Sequence, residues 1–552
     1  MKRASLMLAM MLTLCMGVNA QKVKNVILMI PDGCSLPVLS LSRWLKRTTD
    51  PQRDKNLNID PYICGTVITT CSNAPIGDSA PTTSCYMTGY PQLAGWVATY
   101  PLPHPDDDIY PIDPDRAYQP LTTLLEAARI KFHKSVGLVC TCEFPQATPA
   151  DCSSHSYNRS KYDWITSQQA HNNIDVLIGG GTKLLKEEDE NYLKENGWTV
   201  LKDDKSGMEK CMESKMWALF GDQSMAYEAD RKRNKDKEPS LAEMTEVAIS
   251  KLSECANGFF LMVEGSKIDW AAHNNDLRGM VDDFAAFDQA CKVALDFAKK
   301  DGNTAVVIVP DHGNSGLSIG RRDMSNYAGK TMRDLFGNLE NCHLSADGLA
   351  DKINSIPFSD VQKLMQAECG FKLTDKELEF LKNCKEYKQS PIPEEERKQA
   401  SDGTLYSTGL SRTLAQFITA RTGMAFTTNG HTGEEVFLAA YHPQAEHRPY
   451  GVRDNVELNA YLCSLYGITR DTLDCMTNEL FAPHNEVFGE NCSIKKVNDV
   501  PTLTAKVGRH RLTITPNTNV ILVDRKQMTL ESVIVYVDKN NTFYVPRSLG
   551  KL

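Results

Sequence analysis

The chain has 552 residues, 41% of them hydrophobic and 24% charged, and carries a formal net charge of -9. That length exceeds one small domain and suffices for a large core with insertions. The acidic balance argues against nucleic acid as the main partner, and leaves room for a local cationic pocket that takes a small anion.

At the amino terminus, "MKRASLMLAMMLTLCMGVNA" reads as an export signal over residues 1–20: Lys2 and Arg3, an apolar run, then small residues at Val18-Asn19-Ala20. The run from Ala4 to Val18 is short for a membrane span, so an exported, soluble protein without a stable membrane anchor is expected, periplasmic or secreted. Seventeen cysteines occur with no CxxC pair, which argues against a cysteine zinc site. An exported chain can use some of them as disulfides, and buried free thiols are equally compatible with the pattern.

Seven β-type runs follow in order: "KNVILMI" (24–30), "GTVITT" (65–70), "SVGLVCT" (135–141), "DVLIGG" (175–180), "GFFLMV" (258–263), "TAVVIV" (304–309) and "EVFLAAY" (435–441). Helical periodicity fills the intervals, as in "LTTLLEAARIKF", "SLAEMTEVAISKLSE" and "MVDDFAAFDQACKVALDFAKK". The alternation predicts an α/β fold: a mainly parallel central sheet flanked by helices. Residues 21–335 and 413–498 form this core. A polar, mostly helical insertion spans 336–412, with "SPIPEEERKQ" as an exposed break. Residues 499–552 alternate apolar and polar and read as a small all-β appendage.

Ligands of such sheets collect at the carboxyl ends of the strands. Three expected strands deliver a carboxylate there: Asp32 after "VILMI", Glu264 after "FFLMV", and Asp311 with His312 after "VVIV". A lone Asp after a strand is commonly a turn residue; three, one beside a His, form a set. "VEGSKIDWAAHNND" adds Asp269 and His273 at i and i+4, one helix face and a spacing suited to a shared metal. "TTNGHTGEEV" adds His431. Carboxylate with imidazole suits zinc, and two neighbouring metals can clamp the oxygens of a phosphoryl transfer. "IGDSAPTTSCYMTGY" (76–90) carries six hydroxyls. Asp78 and Ser79 suit a helix N-cap, and Ser79 is also a candidate nucleophile.

In this order the motifs resemble the alkaline phosphatases: "PDG", "DSAPTTSCYMTG", "ATPADCSSHSYNR", "EGSKIDWAAH", "DHG" and "GHTG". The resemblance implies an exported metal-dependent phosphomonoesterase that works through a phosphoserine intermediate, with two Zn2+ and one Mg2+. It implies Ser79 as nucleophile; Asp269, His273 and His431 on the first zinc; and Asp32, Asp311 and His312, with the Ser79 oxygen, on the second. Asp32, Thr148 and Glu264 would hold magnesium, and Arg159 would grip the phosphoryl oxygens. Substrates would be small phosphate monoesters, and the chain would form a homodimer. Gln146 and Trp270 depart from members that carry aspartate and lysine there. A phosphodiesterase or sulfatase of the same superfamily is the enzymatic alternative, against which Thr148, Glu264 and Arg159 count. A non-catalytic phosphate- or metal-binding module is the other.

Overall fold

The structure is a computed structural model that describes residues 22–49, 52, 56–233, 235–399 and 409–552. The expected export signal lies outside the described residues. All seven expected strands form and share one ten-stranded sheet. Its strands in chain order are β1 (Asn25–Pro31), β2 (Ile63–Ile68), β3 (Ser135–Glu143), β4 (Val176–Gly180), β5 (Thr199–Lys202), β6 (Met216–Phe220), β7 (Phe259–Gly265), β8 (Thr304–Ile308), β9 (Val436–Tyr441) and β10 (Gly451–Asp454). The spatial order is β10-β2-β9-β8-β1-β7-β3-β4-β6-β5. All neighbours run parallel except β9, which is antiparallel to both β8 and β2.

Period-two alternation explains the burial on both faces. Val26, Leu28 and Ile30 of β1 join one apolar cluster with Phe260 and Met262, while Ile27 and Met29 join the other with Leu261 and Val263. Helices cover each face, as a parallel sheet requires. The longest, Leu277–Asp301, begins at Asp276, whose carboxylate accepts from the Arg278 N–H, and ends at left-handed Gly302. It buries Met280, Phe284, Phe287, Cys291, Ala294 and Ala298, one stripe at helical spacing. Phe287 lies so close to the end of β7 that a Cβ on Gly265 would sit 2.9 Å from its ring.

Three strands escaped the sequence reading. β5 and β10 are four-residue sheet edges with half-exposed or exposed side chains, too short to show a period. β6, "MWALF", is fully buried, but Met, Ala and Leu favour helix as readily as strand. Helices Ala346–Ser355, Val361–Cys369 and Asp375–Lys382 lie within the expected insertion, and Met332–Glu340 and Leu410–Thr419 run across its two boundaries. Their apolar faces (Phe336, Leu349, Val361, Leu381 and Leu414) continue the core cluster under the Leu277–Asp301 helix. The stretch expected as an exposed break contains a short helix, Glu394–Gln399. Toward the carboxyl terminus a five-stranded antiparallel meander runs from Cys492 to Thr529, beginning before residue 499, and a smaller sheet joins Val535–Val537 to Thr542–Val545.

Removing the Phe287 ring leaves a cavity between the long helix and the sheet. Phe287→Ala is expected to lower unfolding free energy by about 3–5 kcal/mol. Urea denaturation measures it, and a loss below about 1 kcal/mol would show that the ring does not carry this contact.

Candidate functional site

Three adjacent strands, β8, β1 and β7, end side by side. Asp32 therefore stands between Asp311-His312 on one side and Glu264 on the other. All four residues are buried. The ligand-type atoms of Asp32, Asp311 and His312 lie within 4.8 Å of one another. His312 Nε2 is 3.5 Å from both Asp32 and Asp311. Gly33 turns the chain after Asp32 with φ +61, and its N–H donates to Asp311 Oδ1 at 3.0 Å. A Cβ there would meet Asp269 Oδ1 at 2.4 Å, so the turn needs glycine for both conformation and space.

A second triad forms beside the first. Helix Lys267–His273 puts Asp269 and His273 on one face, with His273 Nε2 3.4 Å from Asp269 Oδ2. A two-residue ribbon pairs His431–Thr432 with Gly313–Asn314, which brings His431 against His312, ring centroids 3.8 Å apart. His273 Nδ1 contacts the Asn429 carbonyl at 2.6 Å, and His431 Nδ1 the Gly77 carbonyl at 2.9 Å. A carbonyl only accepts, so both Nδ1 atoms carry hydrogen in the neutral rings. The two Nε2 lone pairs then face each other at 3.2 Å. Two acceptors so placed call for a cation between them, and backbone carbonyls behind metal-binding imidazoles set the tautomer in this way. Asn314 Nδ2 donates to Asp269 Oδ1 at 2.6 Å and fixes the carboxylate.

Ser79 opens helix Ser79–Thr88. Its Oγ lies 3.2 Å from His312 Nε2 and 3.5 Å from Asp32 Oδ1. Thr82 and Thr88 bond back to carbonyls of their own turn, whereas Ser84 donates to the buried Asp151 carboxylate. Asp78 departs from the expected capping role. It makes no side-chain cap bond; its carboxylate accepts from the Gly95 N–H and pairs with Arg159. The other arm of the Arg159 fork meets Gln146. Trp270 stacks on the Lys267 ammonium, 4.2 Å from ring centre.

Further ligand-type oxygens lie on β7 and on the helix Ala147–Ser153 that packs against it. Thr148, on helix Ala147–Ser153, and Glu264 are fully buried, and Thr148 Oγ1, Glu264 Oε1 and Asp311 Oδ2 have no protein hydrogen-bond partner. Orphaned buried oxygens of this kind fit a hard cation. Two cysteines that the sequence left open to disulfide pairing crowd Glu264 instead: Cys140 and Cys142 put their sulfurs within 4.8 Å of it, Cys142 Sγ at 3.4 Å from Oε2. Their i, i+2 spacing on β3 was the visible signal. All sixteen cysteines among the described residues are free.

Electrostatics express the crowding. Burial, then the Asp311 charge, hold Asp32 well above the carboxylate range. Burial, with a further push from Asp311, brings Glu264 to about 8. Burial also raises Asp269, but the His273 hydrogen bond and the imidazoles around it prevail and hold it below the usual range. Burial and His312 press His431 down to about 4, while the hydrogen bond to Asp269 raises His273.

Asp32 and Glu264 thus bind protons in the folded chelated protein that the unfolded chain gives up near pH 4. Their effect weakens the fold as pH climbs from there toward 8. Divalent metal added to chelated protein at pH 7 is expected to release protons, and Glu264→Gln to release roughly one fewer. Titration calorimetry in buffers of different ionisation enthalpy measures the count; equal release from both proteins would exclude Glu264.

The family description "Alkaline phosphatase" matches residues 23–467. Alkaline phosphatase 3 of Bacillus subtilis (strain 168) is 32% identical over 467 residues, which covers 82% of this chain and 91% of that protein. Among solved structures, Thermus thermophilus alkaline phosphatase aligns with a TM-score of 0.68 at 20% identity, over 82% of this chain and 95% of that one. A mutant of the TAB5 alkaline phosphatase, described with Mg bound in its M3 site, aligns at 0.52 and 22%, over 81% and 99%. These two structures speak for the fold; the family match and the Bacillus relative speak for kinship. The chain belongs to the alkaline phosphatase family and is a metal-dependent phosphoric monoester hydrolase.

Proposed function

We propose that the protein hydrolyses phosphate monoesters through a phosphoserine at Ser79, with two Zn2+ and one Mg2+ as cofactors. The observation that carries this reading is the placement of Ser79 Oγ beside His312 and Asp32 of one His–carboxylate triad, with the second triad stacked against the first through His431 and His312. Asp269, His273 and His431 would hold one zinc; Asp32, Asp311 and His312, with Ser79 Oγ, the other. The magnesium would take Asp32, Thr148 and Glu264, in keeping with the orphaned oxygens of Thr148 and Glu264 and with the Mg described in the TAB5 relative. Bound metal supplies the positive charge that favours a serine alkoxide and steadies the departing oxygen.

The chain's own groups do the rest. Ser79 stands at the amino end of a ten-residue helix, where the unpaired N–H groups favour an anion. Arg159 turns its fork from Asp78 and Gln146 to two phosphoryl oxygens. Ser79 gives up its hydroxyl proton to solvent and Oγ attacks phosphorus in line, forming the Oγ–P bond as the ester P–O bond breaks, and the alcohol oxygen leaves with the bonding pair and takes a proton from solvent. Water next attacks the phosphoserine, the Oγ–P bond breaks, and Ser79 regains its hydroxyl as inorganic phosphate departs.

Export and a homodimer belong to the same reading. The apolar leader at residues 1–20 supports the first, and no helix among the described residues is long and apolar enough to cross a membrane. The dimer rests on family resemblance, and light scattering tests it.

Ser79→Ala is expected to abolish turnover with metal content unchanged. Activity near the wild-type level in the metal-loaded variant would remove Ser79 from the nucleophile role. Arg159→Ser separates monoesterase from diesterase chemistry, because a diester has one of the gripped oxygens esterified. Charged hydrogen bonds contribute about 1.5–3 kcal/mol, so monoester kcat/KM should fall at least about tenfold and diester kcat/KM much less. Matched nitrophenyl mono- and diesters measure both; a wild type that prefers the diester would overturn the reading.

A further inference from the structure

The segment that carries Arg159 is held from two directions. On the core side Ser156 pairs with Val97 in a β-bridge, and the Arg159 N–H donates to the Gly95 carbonyl at 2.7 Å. On the other side stands the carboxyl-terminal module. Asp538, in the turn between Val535–Val537 and Thr542–Val545, accepts from the Tyr157 hydroxyl at 2.5 Å and from Lys161 Nζ at 3.2 Å. Tyr157 and Lys161 flank Arg159 at i-2 and i+2, so one carboxylate grips both sides of the arginine.

Packing reinforces the grip. The Tyr157 ring meets Trp96, Tyr118 and Trp164 edge-on, and Lys161 Nζ lies 3.5 Å above the Trp164 ring. Tyr118 and Tyr157 rest on a buried patch of Phe481, Val533, Val535, Val537 and Tyr544. Asp538 itself is 45% exposed. An ion pair that exposed contributes little to stability, so its contacts bear on orientation rather than on holding the module.

We propose that the carboxyl-terminal module braces the active site, with Asp538 as a positioning residue that fixes the direction of Arg159 through Tyr157 and Lys161. The proposal rests on the reading of Arg159 as the residue that grips phosphate. A guanidinium fork serves a phosphoryl group only within a narrow range of angle and distance, so a loosened anchor weakens binding without removing any group that touches substrate.

The test uses the full metal-loaded chain and reads inhibition by inorganic phosphate, KM and kcat for nitrophenyl phosphate, and the thermal midpoint. Asp538→Ala is expected to raise the phosphate inhibition constant and KM roughly three- to tenfold, with the midpoint shifted by only a few degrees. Tyr157→Phe, which deletes one hydroxyl, should act in the same direction, and it decides the matter where Asp538→Ala folds poorly. Arg159→Ser should weaken phosphate more than either. In the Arg159→Ser background Asp538→Ala should have no further effect, because the group it positions is gone. Full additivity there, or unchanged inhibition in Asp538→Ala and Tyr157→Phe while Arg159→Ser is weakened, overturns the brace alone. Unchanged inhibition in Arg159→Ser itself overturns the role of Arg159, and the brace with it.

Discussion

Asp32, Glu264, Asp269 and Asp311 are buried within one small space, and everything else in the site answers to that. Carboxylates so placed repel one another and lose their hydration, a cost that only cations or protons remove. Hence the orphaned oxygens, the raised Asp32 and Glu264, and the facing imidazole nitrogens of His273 and His431. A sheet is the right support for such a cluster. Strand ends fixed by ladders on both sides cannot spread apart to relieve the repulsion, so the strain is passed to whatever ion enters.

The orienting contacts come mostly from the backbone. Carbonyls of Gly77, Asn429 and Gly313 each face one histidine Nδ1, and the Gly33 and His312 N–H groups both donate to Asp311 Oδ1. Main-chain groups have no rotamers to lose, so they hold the donor set at low entropic cost. Arg159 is treated differently. It is tied to Asp78 and Gln146, and in its proposed role an incoming phosphate would displace contacts of the same chemical kind. On that proposed role, Asp78 and Gln146 would compete with product for the guanidinium and temper how tightly phosphate is retained.

Legibility in the sequence followed the range of each interaction. Runs such as "VILMI" and "TAVVIV" announce buried strands because a short continuous apolar run rich in β-branched residues is visible within five residues, and their terminal carboxylates come with them. Asp269 and His273 could be paired because a helix turn is local. Asp78 misled for the same reason: next to Ser79 and Pro81 it carries every local mark of a cap, while its partner Arg159 is 81 positions away. Cys142 beside Glu264 and Asp538 beside Tyr157 have no local mark at all, being 122 and 381 positions apart. The four-residue edge strands fail for another reason, since they hold too few residues to display a period.

One topological detail reaches further. β9 enters the sheet antiparallel to β8, with Ala439 opposite Ile308 and Tyr441 opposite Val306, so its first residues lie at the carboxyl end of β8. The chain between these strands therefore leaves and rejoins the sheet at the same rim, the one that holds Asp311, His312 and His431. The helical segment within that excursion can lengthen or shorten without demanding a new register in the sheet, so long as the apolar faces that join the core are kept. Arg412, on the last helix of that segment, donates to the His273 carbonyl at 3.3 Å, so a change there meets the rim of the site before it meets the strands below.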